Sequence, residues 1–260
     1  MKLFTTAANA ALLLSSACAF TFAQGTGAKP GEIRILSSNG VKSVVEQVRS
    51  QMETKIGHPL SIEYSSAAAF KEKIDAGEQF DVTILTPELI ADYTKQGKIL
   101  PGTGADVARS GIGVSARAGA PKSDISTPDK LKQVLLQAKS ITYSKNGAIA
   151  QMVGKIIDTL GISNEVKPKL VLQQVPGRAT IAVAEGEAEL GITLISEILP
   201  VKGAQLLGPV PHSLQNYVIM TAGVSTHAKD EAAAKKVIKY LTARAMESTL
   251  KANGLEAVTK

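Results

Sequence analysis

Three short polar segments could hold an anion, because each follows an apolar stretch predicted as a strand and precedes a predicted helix. The first N–H groups of a helix have no partner inside it, and its N-terminus carries a partial positive charge. Hydroxyl and amide side chains placed there can bind an anion together with the backbone. The segments contribute Ser37, Ser38 and Asn39, then Ser65 and Ser66, and finally Ser144, Asn146 and Gly147.

Each segment also has a simpler interpretation as a helix cap. A cap needs one side-chain oxygen that accepts from the first turn of the helix. The first segment offers three polar residues in succession, which is more than capping requires. We therefore favour ligand binding, with capping as the open alternative for all three segments.

Two arginines are candidates for contacting a carboxylate. Arg109 lies where the chain is predicted to cross between lobes, and a guanidinium can pair with a carboxylate in bidentate geometry. A surface ion pair, for instance with Asp106, is the alternative. Arg178 follows Pro176-Gly177 at a predicted helix start, where a cation is unfavourable. This placement indicates another task, such as meeting an anion, although a solvated surface position is equally compatible.

A second group of residues could support proton transfer. Ser196 is a further candidate ligand residue. Its neighbour Glu197 is a candidate general base or inter-lobe contact, with an ordinary acid at a helix start as the favoured alternative. Of the three histidines, His212 lies nearest to the predicted return crossing. No spacing of His, Cys, Asp or Glu is typical of a metal site, and no glycine-rich nucleotide loop occurs. The sequence predicts neither a metal nor a cofactor.

The N-terminal residues 1–23 are predicted to be a cleaved signal peptide. Lys2 precedes an apolar run that is short for a membrane span, and small residues follow at the positions of a cleavage site. A buried helix, a membrane anchor or a lipid attached to Cys18 are the alternatives. The only cysteine, Cys18, falls within this segment, so the mature chain has no thiol nucleophile or disulfide. We expect a periplasmic protein with no membrane span after cleavage.

The charge distribution limits the classes of binding partner that the sequence predicts. The 260 residues carry a net charge of +6, but lysines and arginines alternate with acids, and tryptophan is absent. Nucleic acid is therefore not an expected partner, since no basic run with interleaved aromatic residues occurs. A mild basic surplus is compatible with an anionic ligand. We expect a monomer.

Strands and helices alternate along the chain, which is typical of an α/β protein with mainly parallel sheets. A helix from Val41 is predicted to end at Gly57, and Thr86-Pro87 and Thr127-Pro128 have the pattern of helix starts. Residues 169–173 are predicted to form a strand. The segment Gly203–Pro211 is interpreted as a break before a return crossing.

Two composition breaks predict two lobes with a ligand cleft between them. Lobe 1 comprises residues 24–108 and 213–260, and lobe 2, residues 109–212, is inserted. A glycine-spaced strand that begins at Arg109 is suited to the first crossing.

Several segments across the mature chain resemble periplasmic solute-binding proteins of the type II fold, in the molybdate-binding-protein-like family. The matches are the opening strand and turn, Gly77-Glu78-Gln79-Phe80-Asp81-Val82, Lys95-Gln96-Gly97-Lys98-Ile99, Val166-Lys167-Pro168-Lys169-Leu170-Val171, Gly186-Glu187-Ala188-Glu189-Leu190-Gly191-Ile192 and Ala252-Asn253-Gly254-Leu255-Glu256. The resemblance implies a two-lobed α/β fold, a small anion as ligand, and an ABC permease as partner.

The sequence departs from the molybdate binders of that family at two places. A tyrosine that they use for the oxyanion is replaced by Leu194, and Ala67-Ala68-Ala69 stands where they have a glycine-containing segment. The segments around Arg109 and Ser196 resemble instead a sister group that includes aconitate-isomerase-like proteins. The main prediction is an anion binder for uptake. The alternative is an isomerase that catalyses a 1,3-proton shift in a tricarboxylate, with Glu197 or His212 moving the proton.

Overall fold

A computed structural model describes residues 31–258, so the predicted signal peptide, residues 1–23, lies outside the described residues. Within that range the chain forms eight strands. They are β1 (Ile33–Ser38), β2 (Leu60–Ser65), β3 (Val82–Leu85), β4 (Ala105–Arg117), β5 (Ile141–Thr142), β6 (Leu190–Leu194), β7 (Ala204–Pro209) and β8 (Tyr217–Val224).

The same residues form ten α-helices, most of which follow a strand. They are α1 (Lys42–Ile56), α2 (Ala67–Asp75), α3 (Pro87–Lys95), α4 (Pro128–Gln137), α5 (Ala148–Thr159), α6 (Ser163–Val166), α7 (Ala179–Glu185), α8 (Ile195–Ile198), α9 (Glu231–Leu241) and α10 (Glu247–Ala252). Short 3-10 turns lie at 39–41, 167–169, 212–214 and 244–246.

The helix ends follow from local chemistry. Helix α1 ends at Gly57, which has a left-handed conformation with a φ of 84° that glycine adopts without steric cost. Thr127 caps α4 by accepting from the N–H of Lys130, and Pro128 occupies the first helical position. These two predicted signals are confirmed.

Two sheets share one strand. The strand order is β2-β1-β3-β8-β4-β6-β5, and β7 also pairs with β4. The first part of β4, 105–111, pairs with β8, whereas its second part pairs with β6 and β7. The chain therefore passes from one sheet to the other within a continuous strand, and the predicted crossing at Arg109 falls inside it.

The predicted two-lobed α/β fold is confirmed, but its sheets are less parallel than expected. Strands β1, β2 and β3 are parallel, as are β5 and β6. All pairings of β4 and β8 are antiparallel. The difference comes from β4 and β8, which run antiparallel to every strand with which they pair.

Each sheet has its own hydrophobic core. Successive side chains of β1 point to opposite faces of the sheet. Ile33 and Ile35 therefore belong to one hydrophobic cluster and Leu36 to another. The second sheet is covered by a separate cluster that includes Ile112, Leu131 and Ile192.

Two local predictions were wrong. Residues 169–173 do not form a strand, since only isolated bridges join Leu170 to Ile141 and Gln173 to Ser144. Conversely, β7 lies in the segment interpreted as a break. Its partner is β4, so the pairing depends on a distant part of the chain, and Pro209 is tolerated at its end because only one neighbour needs hydrogen bonds.

Candidate functional site

A cavity of about 80 Å³ is enclosed by loops and helix starts from both sheets. This is several times what a single water needs and far below the roughly 300–1,000 Å³ of a pocket for a drug-sized ligand. The three predicted polar segments meet here. Their lining residues are Ser38, Asn39, Ser65, Ser66, Ser144, Asn146 and Gly147.

Four helices begin at this cavity. Ser66, Thr86 and Gly147 are the residues immediately before α2, α3 and α5, and all three line it. Ser38 precedes the 3-10 turn Asn39–Val41, which continues into α1. Since each helix N-terminus is equivalent to about half an elementary positive charge, the cavity is electropositive through its backbone.

Serine side chains cap two of these helix starts, as the capping interpretation of the sequence predicts. Ser38 Oγ accepts from the N–H of Gly40 at 3.3 Å, and Ser66 Oγ accepts from the N–H of Ala69 at 3.2 Å. A hydroxyl that accepts one bond still has its own hydrogen to donate. Capping and ligand binding by these serines are therefore compatible.

The other two helix starts differ from these. No side chain caps α3 or α5, and Gly147 precedes α5 with a φ of 87°. The first N–H groups of α5 are thus available to a ligand or to water. Thr86 was not predicted as a site residue, although its position as a polar residue between strand and helix matches the three segments that were.

The two sides of the cleft touch at Gly177. A Cβ placed on this residue would lie 3.1 Å from Nδ2 of Asn39, and its φ of 78° disfavours any side chain. The loop Pro176–Gly177 therefore brings lobe 2 against the first polar segment. The sequence placed Arg178 rather than Gly177 at the site, because a long-range approach of backbone to an amide leaves no local signal.

Leu194 occupies the position for which the family resemblance implies a tyrosine. It is buried, lines the cavity, and lies beside Gly40, where a built Cβ would be 3.1 Å from Leu194 Cδ1. This wall therefore offers an apolar surface where a phenol oxygen would otherwise face the ligand.

Glu197 is the ionisable residue of the site. Among the lining residues within 31–258, no other side chain is acidic or basic. Thr193 Oγ1 donates to Glu197 Oε2 at 2.6 Å. Burial raises the pKa of the Glu197 carboxyl above its ordinary value, and the Thr193 hydrogen bond opposes that rise only in part.

The raised pKa predicts a pH effect on folding. Between the ordinary value of 4.5 and the higher pKa of the folded state, the folded protein holds more protons than the unfolded chain, so the free energy of unfolding falls as pH rises. Glu197→Gln removes this titration. The melting temperature of the variant minus that of wild type should therefore increase as pH rises above about 4.5. Parallel curves in differential scanning fluorimetry would contradict the expectation.

Both candidate arginines lie outside the cavity lining. Arg109 pairs with Glu256, with Nη2 2.7 Å from Oε2, and its guanidinium lies 4.5 Å from the centre of the Tyr217 ring. Arg178 pairs with Glu185 at 2.7 Å and with Glu187 at 2.5 Å. The alternative of a surface ion pair is thus present for Arg109, with Glu256 rather than Asp106 as its partner, and a ligand role for either arginine stays a prediction.

Three further predicted residues also lie outside the lining. Ser37 is fully buried and donates to the carbonyl of Ser38 at 3.2 Å. Ser196 is buried, and its hydroxyl has no hydrogen-bond partner among residues 31–258. His212 is exposed at the start of a 3-10 turn. Their ligand or catalytic roles stay predictions.

Membrane-spanning helices and metal-binding clusters are both absent from residues 31–258. None of its helices is both long and apolar enough to cross a membrane. None of its groups of His, Cys, Asp and Glu residues is arranged to hold a metal ion.

Comparison with known proteins agrees with this architecture. A family model described as bacterial extracellular solute-binding protein matches residues 33–256. An aconitate isomerase of a Pseudomonas species is 25% identical over 232 residues, which cover 87% of this chain and 88% of the relative. The molybdate-binding protein ModA of Azotobacter vinelandii is 25% identical over 236 residues, covering 87% and 90%. The structure of the periplasmic molybdate-binding protein of that organism superposes with a TM-score of 0.74 at 18% identity, covering 87% and 100%.

Proposed function

Because the chain belongs to the bacterial extracellular solute-binding protein family, we propose that it binds a small anion in the cleft, in the periplasm, for uptake by an ABC-type permease. The observation that carries the proposal is the convergence of four helix N-termini on one small cavity. Such termini attract negative charge and supply N–H donors without any basic side chain.

The binding mechanism follows from these groups. The hydroxyls of Ser38 and Ser66 and the first backbone N–H groups of α5 replace the hydration shell of the anion. Gly177 lies close to Asn39 on the opposite side of the cleft, so both sides are near the bound anion. Because polar groups come from both lobes, the ligand stabilises the closed arrangement that a permease would recognise.

The test is a ligand screen of the purified protein. We expect at least one of molybdate, tungstate, sulfate, or the di- and tricarboxylates to raise the melting temperature, since a ligand that binds only the folded state stabilises it. The double variant Ser38→Ala, Ser66→Ala should lower the affinity for that ligand by about tenfold or more, as two charge-assisted donors are lost. Ser50→Ala, at an exposed position of α1, is the matched control. No thermal shift with any of these anions would refute the proposal.

A second candidate function is isomerisation of an aconitate-type tricarboxylate. The observation in its favour is Glu197, a carboxyl group in the cavity with a raised pKa, as a general base or acid requires. Against it, the cations expected to hold three carboxylates, Arg109 and Arg178, are engaged in ion pairs away from the cavity.

Incubation with cis- and trans-aconitate separates the two functions. The isomerase predicts a change in isomer ratio that Glu197→Gln abolishes. A constant ratio, together with a thermal shift from an oxyanion, would leave only the binding function.

A further inference from the structure

We propose that the bound anion and Glu197 share one proton, so that the site takes up its ligand together with a proton. This inference rests on the proposed anion-binding function. It assigns the ligand class to small anions that carry an acidic or hydroxyl hydrogen, which the Glu197 carboxylate accepts. A fully ionised anion binds only when the carboxyl group itself has gained a proton.

The first argument is the size of the cavity. A volume of about 80 Å³ leaves no room for a small anion to lie far from a carboxyl group in the wall. Glu197 lines this space together with the helix starts at Ser38, Ser66 and Gly147. An anion that contacts these donors therefore also faces the Glu197 side chain.

The second argument is hydrogen-bond chemistry. An ionised carboxylate only accepts hydrogen bonds, and so does a fully ionised anion. Thr193 donates to Glu197 Oε2, but Thr193 does not line the cavity and leaves the other carboxyl oxygen without this donor. Only a proton between Glu197 and the ligand turns two facing acceptors into a donor–acceptor pair.

The third argument is the absence of a basic side chain that could pair with the Glu197 carboxylate. Within the described residues the cavity is lined by no Lys, Arg or His. The charged residues on the elements packed against α8 are Asp106, Arg109 and Arg117 of β4, and Glu256 of the C-terminal segment.

Three of these four charged residues have partners elsewhere, and the fourth is exposed. Asp106 accepts from Thr221 at 2.6 Å, Arg109 pairs with Glu256, and Arg117 is exposed against Gly186. None of them lines the cavity, so none can neutralise a second negative charge beside the ligand.

The proton balance differs between two kinds of ligand. When a fully ionised anion binds to the carboxylate form, one proton leaves the buffer and forms an O–H bond with a Glu197 oxygen. When the anion carries its own acidic hydrogen, that proton arrives with it and the carboxylate accepts it as a hydrogen bond. The complex holds one shared proton in both cases. Desolvation of the Glu197 carboxyl, which favours its neutral form, supports the first route.

Isothermal titration calorimetry in buffers of different ionisation enthalpy counts the protons directly. The probes are molybdate, which is fully ionised, and inorganic phosphate, which retains a proton as hydrogen phosphate. Above the pKa of Glu197 in the free protein, molybdate should bind with uptake of close to one proton, and its affinity should fall about tenfold per pH unit. Phosphate should bind without uptake.

Glu197→Gln is expected to abolish the proton uptake and to flatten the pH dependence for molybdate. Glu187→Gln, which changes an exposed carboxyl group paired with Arg178, should behave as wild type. The wild-type measurement needs no variant, so a folding defect of Glu197→Gln would not remove the test.

Two outcomes overturn the inference and are distinguishable. If molybdate binds wild type without proton uptake and with an affinity that does not change with pH, the inference fails while anion binding stands. If neither probe binds either protein at any pH, and the wider anion screen is also negative, the proposed function fails and the inference with it.

Discussion

Replacing Ala68 with aspartate is expected to abolish anion binding without destabilising the protein. Ala68 is exposed in the first turn of α2 and lines the cavity. Two unit charges about 4 Å apart repel by about 4 kcal/mol at an effective dielectric constant of about 20, so the affinity should fall by about a hundredfold or more. The same carboxylate favours the helix N-terminus by about 0.3–1 kcal/mol, so the melting temperature of the free protein should hold or rise.

Ala68→Asn is the matched control, since it has nearly the same shape without the charge. Its affinity should stay within about tenfold of wild type, because only steric crowding remains. Titration calorimetry and thermal unfolding of the ligand-free variants give the two readouts. If Ala68→Asp binds the anion as tightly as Ala68→Asn, the helix starts around this cavity do not form the anion site.

Replacing Asp81 with alanine is expected to cost about 3–5 kcal/mol of folding free energy, since two hydrogen bonds to a buried charged group are lost. Asp81 is 2% exposed and lies just before β3. Its Oδ2 accepts from the N–H of Arg34 in β1, and its Oδ1 accepts from the N–H of Lys229 before α9, both at 2.7 Å. One side chain thus joins two strands to the start of the C-terminal helices.

Chemical denaturation measures this loss. Asp81→Asn keeps one acceptor oxygen and should lie between alanine and wild type. Asp92→Ala is the surface control, because Asp92 is 59% exposed and its nearest Lys95 nitrogen is 3.8 Å away, so the change should be within about 1 kcal/mol. If Asp81→Ala is no more destabilising than Asp92→Ala, the buried carboxylate is not a structural anchor.

Local signals were sufficient to predict most of the fold. Glycine after α1 and threonine-proline before α4 are short-range features, and the structure has helix ends at both. The three polar segments have the same kind of signal, because the residues that begin a helix form a recognisable pattern over a few positions. Their meeting at one cavity follows from the alternation of strands and helices, which brings successive helix starts to the same edge of a sheet.

Features that depend on distant partners could not be predicted. The pairing of β7 with β4 and the approach of Gly177 to Asn39 join residues far apart in sequence. The positions of Arg109 and Arg178 along the chain do not reveal their acidic partners, which the fold decides. Glu197 was recognised as a candidate, but its bond with Thr193 and its place as the ionisable residue of the cavity required the three-dimensional structure.

The continuity of β4 has a consequence for how the molecule responds to heat. Since its residues 105–111 complete one sheet and 112–117 complete the other, neither half of the molecule can melt without fraying a strand that the other half needs. Unfolding of the two halves is therefore coupled through main-chain hydrogen bonds to a shared strand, and not only through the covalent connection between them. A ligand that contacts only a few side chains in the cleft consequently stabilises both halves against unfolding, which then occurs in a single cooperative transition.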